Sequence, residues 1–314
     1  MGCANIAKRS MIPALLSLPD KFQIIAIASR TYEKACEYAE LFGIRPIVGY
    51  DTLLQQDIDA IYMPLPTGLH SMWIEKSLLA GKHVYAEKSF AMTLEDATHL
   101  VNLAREKKIA LMEGYMFLYH KQHRVVKDLI YKGYIGNLRG FNANFAFPPF
   151  SDHNNFRYDN VLGGGALKDS AGYVLRAVDF ICEQPYTITD ATIHYSQKMT
   201  SLYGSAYVKF DSGVSGLLSF GFDNFYQCNY SVWGTKGKIY VSKAFTPKPD
   251  EETIITVEQQ DYKEVISCKP FNHFVAAMEH FYNLCNDFSD KETEYNSILL
   301  QSKGLDTIEK LSKI

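Results

Sequence analysis

Close cysteine pairs are missing from this sequence of 314 residues. The six cysteines, Cys3, Cys36, Cys182, Cys228, Cys268 and Cys285, stand far apart, which excludes a zinc ribbon or a Cys-x-x-Cys redox pair. A chain of this length has no need of disulfide staples, so reduced thiols and a cytoplasmic setting are expected. Long apolar runs are also missing: "IIAIA" at 24–28 is strand-sized, too short to span a bilayer. No charged start followed by an apolar stretch reads as a signal peptide. No block of like charge occurs, and a formal net charge of −3 argues against nucleic acid as a partner, since phosphate binding needs a basic surface. The nine histidines show no His-x-x-x-His spacing, so no metal site is expected, and "HKQH" at 120–123 reads as a surface pair at a helix start. Repeats and low-complexity segments are absent.

What is there is an apolar fraction of 47%, enough for two sizeable cores. The first part alternates strands and helices. "FQIIAIA" (22–28), "IDAIYMPLP" (58–66), "KHVYAE" (82–87) and "IALMEG" (109–114) read as strands. Helices fall over 31–43, stopped by Gly43, after the 58–66 strand through "HSMWIEKSLLAG", over "LEDATHLVNLAREKK" behind a Thr93/Asp96 capping box, and over "YHKQHRVVKDLIYKG". This order predicts parallel βαβ units, an α/β, Rossmann-like, doubly wound sheet.

The pattern changes near residue 137. A long strand begins at "LRGFNANFAF", a loop from Pro148 to Gly165 leads into a helix over about 166–182, and residues 186–260 read as successive strands separated by turn residues. With no helices between them these strands pair mostly antiparallel, giving an α+β domain with a large open sheet. Two helices, near 271–288 and 291–313, close the chain. The expected division is 1–120 for nucleotide binding and 121–314 for substrate binding and oligomerisation.

The opening segment Gly2-Cys3-Ala4-Asn5-Ile6-Ala7 is a degenerate small-residue turn running into an apolar-periodic helix, the arrangement that lets a pyrophosphate approach a helix N-terminus. Only Met1 precedes it, so a start upstream, or a sheet without its central strand, is expected. At the end of the next strand, where an NAD-preferring domain carries an acid, stand Ser29 and Arg30. A hydroxyl and a guanidinium suit the 2′-phosphate of NADP(H). "YMPLPTGLH", "YAEKSF" and "LMEGYMFLYH" then fall at the C-terminal ends of parallel strands, where such sheets bind ligands. Downstream, "FRYDNVLGGGALKDSAGYVLRAVDF" places Asp169 and Tyr173 at i and i+4 of a helix.

Together these stretches resemble the glucose–fructose oxidoreductase, inositol dehydrogenase and rhizopine-catabolism family of two-domain NAD(P)-dependent enzymes, over almost the whole chain. The family's Glu-Lys-Pro motif is Glu87-Lys88-Ser89 here; serine for proline is expected to loosen the turn. Its Asp-x-Gly-x-His segment reads Asp169-Ser170-Ala171-Gly172-Tyr173, with tyrosine for histidine. That tyrosine is similar to the nucleotide-sugar 3-ketoreductases of deoxysugar biosynthesis, and to dimeric dihydrodiol and xylose dehydrogenases.

The resemblance implies Lys88 and Tyr173 as proton donors to a ketone that receives hydride from NADPH, and both as substrate contacts. It places Glu87 near the nicotinamide carboxamide, Leu65, Pro66 and His70 at the nicotinamide ribose, Tyr50 beside the adenine half, and Arg157 and Asp169 near the cofactor. His70 has a second reading, as a helix-start residue satisfied by backbone. Tyr115 and Trp233 are candidates for the substrate wall. The substrate implied is a nucleotide-linked ketosugar reduced at C3; a free sugar or trans-dihydrodiol oxidised with NADP is the alternative, and a cofactor-binding regulator without chemistry is another. An apolar face on the C-terminal sheet would pair subunits into a homodimer or homotetramer.

Overall fold

The computed structural model describes residues 1–152 and 154–313. The chain forms two compact units: Met1–Gly114 with Phe274–Ser302, and Tyr115–His273 with the segment from Lys303 onward.

In the first unit a helical stretch, Ala7–Met11 continuing into α1 (Ile12–Leu16), precedes β1 (Ala26–Ser29), α2 (Tyr32–Phe42), β2 (Arg45–Val48), α3 (Tyr50–Leu54), β3 (Ala60–Met63), α4 (His70–Leu79), β4 (His83–Ala86), α5 (Leu94–Lys107) and β5 (Leu111–Glu113). All strand pairs are parallel, in two groups, β1-β2 and β3-β4-β5. Among the described residues no strand stands between the two groups. Their nearer ends are linked instead by the first two residues: the Met1 amine donates to Tyr62 O (2.8 Å) and Gly2 N–H to Ala28 O (2.8 Å). Ile61, Met63, Val84 and Leu111 pack with Ile74, Leu78, Leu100 and Val101 of the flanking helices, which is why these strands are apolar without alternation.

The strand expected over 22–28 is shorter, 26–29. Phe22 N–H bonds to Leu18 O (2.9 Å), and its ring packs edge-on to Tyr282 (5.8 Å). β2 escaped the sequence reading because Pro46 interrupts it; as the outer strand of its pair, it tolerates the missing N–H. The Thr93 cap forms as expected: its hydroxyl accepts Asp96 N–H at 3.0 Å. Lys108, rather than glycine, takes the left-handed position that ends α5.

The second unit contains α6 (Lys121–Tyr131), β6 (Leu138–Ala146), a π-helical turn Leu167–Ala171 running into α7 (Gly172–Cys182), then β7 (Tyr186–Tyr195), β8 (Ser201–Phe210), β9 (Ser215–Gly221), β10 (Gln227–Gly234), β11 (Gly237–Val241), β12 (Thr253–Gln259) and β13 (Tyr262–Cys268). The strands form one eight-stranded sheet in the order β13-β12-β11-β10-β6-β9-β8-β7, antiparallel except for β6 beside β9. β13 lies beyond the strand region read from sequence; a tight turn at Gln260–Asp261, with Asp261 at φ 60°, folds it back on β12. α8 (His273–Cys285) and α9 (Lys291–Leu311) close the chain. One sheet face buries Phe141, Ala143, Phe145, Leu218, Phe220, Tyr230 and Val232, and α7 lies against β6 and β9. The opposite face exposes Tyr203, Tyr207, Leu217, Trp233 and Ile254.

Candidate active site

The small-residue turn leads directly into helix, with helical backbone from Asn5. Gly2 has φ 98°, and a Cβ there would stand 2.8 Å from Leu65 Cδ2, so the turn and the loop carrying Leu65 and Pro66 meet closely. Cys3, Ala4 and Ile6 are half-buried, Asn5 is exposed and Ala7 is buried. The first N–H groups of a helix have no partner within it, and small side chains leave them accessible. Ser29 is buried at the end of β1, and Arg30 beside it is exposed. Tyr50, opening α3, packs edge-on to Trp73 (5.0 Å); burial raises its phenol pKa, against the nearby charge of Arg30, which lowers it. A tight glycine approach, open helical N–H groups and an exposed guanidinium fit a dinucleotide with a 2′-phosphate.

At the end of β4, Glu87 and Lys88 are half-buried, whereas Ser89 and Phe90 are buried. The Lys88–Ser89 peptide is cis. Glu87 N–H bonds to Met63 O (3.0 Å), and its carboxylate accepts the Tyr62 hydroxyl at 2.8 Å. Burial raises the Glu87 carboxyl pKa; the Tyr62 hydrogen bond and the Lys88 charge oppose it. Ser89 is held through its backbone. Its carbonyl lies 3.0 Å from His70 Nδ1, which also meets Phe90 O at 3.1 Å, while His70 Nε2 meets Leu65 O at 2.8 Å. His70 has no solvent exposure and both ring nitrogens face backbone carbonyls. His70 thus stands at the start of α4 with backbone carbonyls against both ring nitrogens, of which a neutral ring donates to one. Two partners escaped the sequence reading: Tyr62, and Glu113, whose Oε1 accepts Phe90 N–H at 2.8 Å. The one signal for Glu113 was a lone acid closing the apolar strand "IALMEG".

In the second unit Tyr173 is buried, with its hydroxyl 3.9 Å from Met116 Sδ. Its ring packs against Phe145 (4.6 Å), Tyr115 (5.3 Å), Phe117 (5.8 Å) and Phe245 (5.8 Å). Tyr115 therefore stands beside Tyr173, edge to ring. Asp169 Oδ2 accepts from Arg157 Nε at 2.6 Å, and the guanidinium lies over Phe150 and Phe156. Gly164 permits this loop: a Cβ there would come 2.5 Å from Arg157 O. The turn through Asp169 is π-helical, which alters the i, i+4 alignment with Tyr173 expected of an α-helix.

Trp233 is not brought to Tyr173. On β10, Tyr230 and Val232 face the buried side that holds Phe145 and Tyr173, so Trp233 points to the open face, 60% exposed. The pair His120 and His123, expected at the surface, is buried. His123 Nδ1 faces the Tyr230 hydroxyl (2.9 Å) and Nε2 faces Ala244 O (3.0 Å). His120 packs against His273 with ring centroids 5.6 Å apart. Among the described residues no cluster of histidine, cysteine and acidic side chains forms a metal site.

Residues 1–115 match the family model described as "Oxidoreductase family, NAD-binding Rossmann fold", and residues 123–240 match that of the GFO/IDH/MocA C-terminal domain. The chain belongs to this oxidoreductase family. Its relatives include the dTDP-3,4-didehydro-2,6-dideoxy-alpha-D-glucose 3-reductase of Saccharopolyspora spinosa, 40% identical over 85% of this chain and 80% of that one. The enzyme of the same name from Actinomadura kijaniata is 37% identical over 90% of this chain and 85% of its own. Among solved structures, the A. kijaniata 3-ketoreductase KijD10, in complex with NADP and TDP-benzene, superposes with a TM-score of 0.95 at 34% identity, covering 99% of this chain and 95% of that one. Like other members of the family, the chain is an NAD(P)-dependent oxidoreductase.

Proposed function

We propose that this chain is an NADPH-dependent reductase of a nucleotide-linked 3-keto-deoxysugar, of the dTDP-3,4-didehydro-2,6-dideoxyglucose class. The likeness to KijD10, near-complete in length and fold, carries the reading. Residues 1–120 serve as the cofactor-binding part, with Gly2 to Ala7 at the pyrophosphate, Ser29 and Arg30 at the 2′-phosphate, and Tyr50, Leu65, Pro66 and Glu87 along the rest of NADP(H). Residues 121–314 bind the sugar and pair subunits. Arg157 and Asp169 support the cofactor side as an ion pair.

When bound, NADPH supplies a hydride to the sugar carbonyl carbon. Negative charge then develops on the carbonyl oxygen, and Lys88 and Tyr173 act on that atom: each donates a hydrogen bond to it, and one of them gives up the proton that completes the alcohol. The aromatic wall around Tyr173 keeps water from its phenol, and Tyr115 lines that wall.

The open sheet face, bearing Tyr203, Tyr207, Leu217, Trp233 and Ile254, is the surface through which copies pair as dimer or tetramer. No helix among the described residues is long and apolar enough to cross a membrane, and all six thiols are unpaired with one another, which suits a cytoplasmic enzyme.

The test is turnover of a dTDP-3-ketosugar with NADPH, followed by oxidation of the nicotinamide and by product mass, beside D-xylose with NADP. Lys88→Ala is expected to bind NADPH normally and lose turnover by about 100-fold or more. No reduction of any nucleotide ketosugar, or equal use of D-xylose, overturns the reading.

A further inference from the structure

We propose that His70 and Glu113 are positioning residues that set the place of the Lys88 amine by clamping the backbone on its far side. The inference rests on the reading of Lys88 as a proton donor. The sheet's own hydrogen bonds hold the chain as far as Glu87, through Glu87 N–H to Met63 O, and Gly114 N–H to Ala86 O reinforces the same end. Beyond that point β4 has ended, yet Ser89 and Phe90 remain buried at 1% exposure each. Three of their backbone polar atoms are met by side chains from two other elements. His70, at the start of α4, faces the carbonyls of Ser89 and Phe90 through Nδ1. Glu113, at the end of β5, accepts Phe90 N–H at 2.8 Å. Nε2 of the same imidazole faces Leu65 O at 2.8 Å. With a carbonyl at each nitrogen, the ring ties the loop that closes over Gly2 to the loop that carries Lys88 only as the imidazolium, whereas a neutral ring donates to one loop alone.

A turn left in water would satisfy these atoms without help. Burying an imidazole and a carboxylate to do it costs desolvation, which a purely structural turn does not require. The arrangement holds Lys88 between a sheet anchor and a side-chain anchor, which leaves the backbone of a flexible lysine little freedom. Misplacement of a reacting group by about 1 Å lowers rates by about 100-fold.

The test compares Glu113→Ala, Glu113→Gln and His70→Gln. Glu113→Gln keeps an oxygen able to accept Phe90 N–H; Glu113→Ala removes it. Two readouts are taken: kcat and KM with the nucleotide ketosugar, and the trace-labelling rate of the Lys88 amine by an acylating reagent, read by mass spectrometry against exposed Lys107 in the same sample. Glu113→Ala is expected to lower kcat by about 10- to 100-fold with NADPH affinity unchanged, and to shift Lys88 labelling by at least about threefold. Glu113→Gln restores both, and His70→Gln lowers kcat and shifts Lys88 labelling as Glu113→Ala does, while also weakening NADPH binding through the loop of Leu65. An unchanged Lys88 labelling rate in folded Glu113→Ala or His70→Gln protein overturns the proposal, as does a Glu113→Gln variant as impaired as the alanine. If Glu113→Ala fails to fold, the labelling of His70→Gln decides. If the unmodified protein reduces no nucleotide ketosugar, the functional reading fails, and labelling alone still decides whether the clamp sets Lys88.

Discussion

Acid should begin to weaken the second unit near pH 6.5, before ordinary carboxylates titrate. His123 is fully buried between Tyr230 and Ala244, and its two hydrogen bonds define a neutral ring: Nε2 donates to the Ala244 carbonyl and Nδ1 accepts the Tyr230 hydroxyl. Burial lowers its pKa to about 3, that of His273 to about 3 and that of His120 to about 4, from an ordinary 6.5. A histidine whose folded pKa is lowered takes up its proton on unfolding. Its stabilising contribution is therefore complete above 6.5 and lost as pH falls from there toward the folded value. Each such proton steepens the loss by about 1.4 kcal/mol per pH unit. His123 and His273 alone give about 3 kcal/mol per pH unit, and His120 adds to it. Against a total stability of about 5–15 kcal/mol, a fall of two or three pH units removes most of it.

The assay is urea unfolding at about pH 8, pH 6 and pH 5, with Trp233 left as the reporter by Trp73→Phe, since the chain has two tryptophans. The midpoint should hold from pH 8 to near pH 6.5 and then drop. In His123→Gln the slope should fall by about 1.4 kcal/mol per pH unit. A midpoint indifferent to pH down to about 5, or a slope unchanged in His123→Gln, refutes the argument.

Two other perturbations probe the site. Tyr62→Phe removes the donor to the buried Glu87 carboxylate and should cost about 1.5–3 kcal/mol where Glu87 is charged. Because burial already raises the Glu87 pKa, protonation favours the folded state, so this cost should shrink as pH falls; urea midpoints that show a pH-independent cost would count against it. Gly164→Ala drives a Cβ to 2.5 Å from the Arg157 carbonyl, a backbone atom that cannot rotate away. It should cost about 1–3 kcal/mol and lower Tm by about 3–8 °C in calorimetry, whereas an unchanged Tm would mean the loop shifts freely.

The sequence by itself determined the alternation of strand and helix, the change to an antiparallel sheet near residue 137, the Thr93 cap and the family. Each of these is written in short-range pattern: period of apolar residues, cap chemistry, and motifs such as Glu87-Lys88-Ser89. β2 stayed hidden because Pro46 contradicts strand propensity and only an outer position in the pair excuses it. The tertiary structure alone decided which polar residues are buried and what they face. His70 serves backbone carbonyls because two loops, after β3 and β4, converge on it. His120 and His123 lie in a core that α6 helps to close, although their spacing reads as a polar helix start. Trp233 lies away from Tyr173 because strand alternation sets it on the opposite face of the sheet. Glu113 and Phe90 meet across 23 residues of sequence, a separation no local pattern records. Burial and hydrogen-bond partners are properties of chain segments brought together from afar, and local pattern does not encode them.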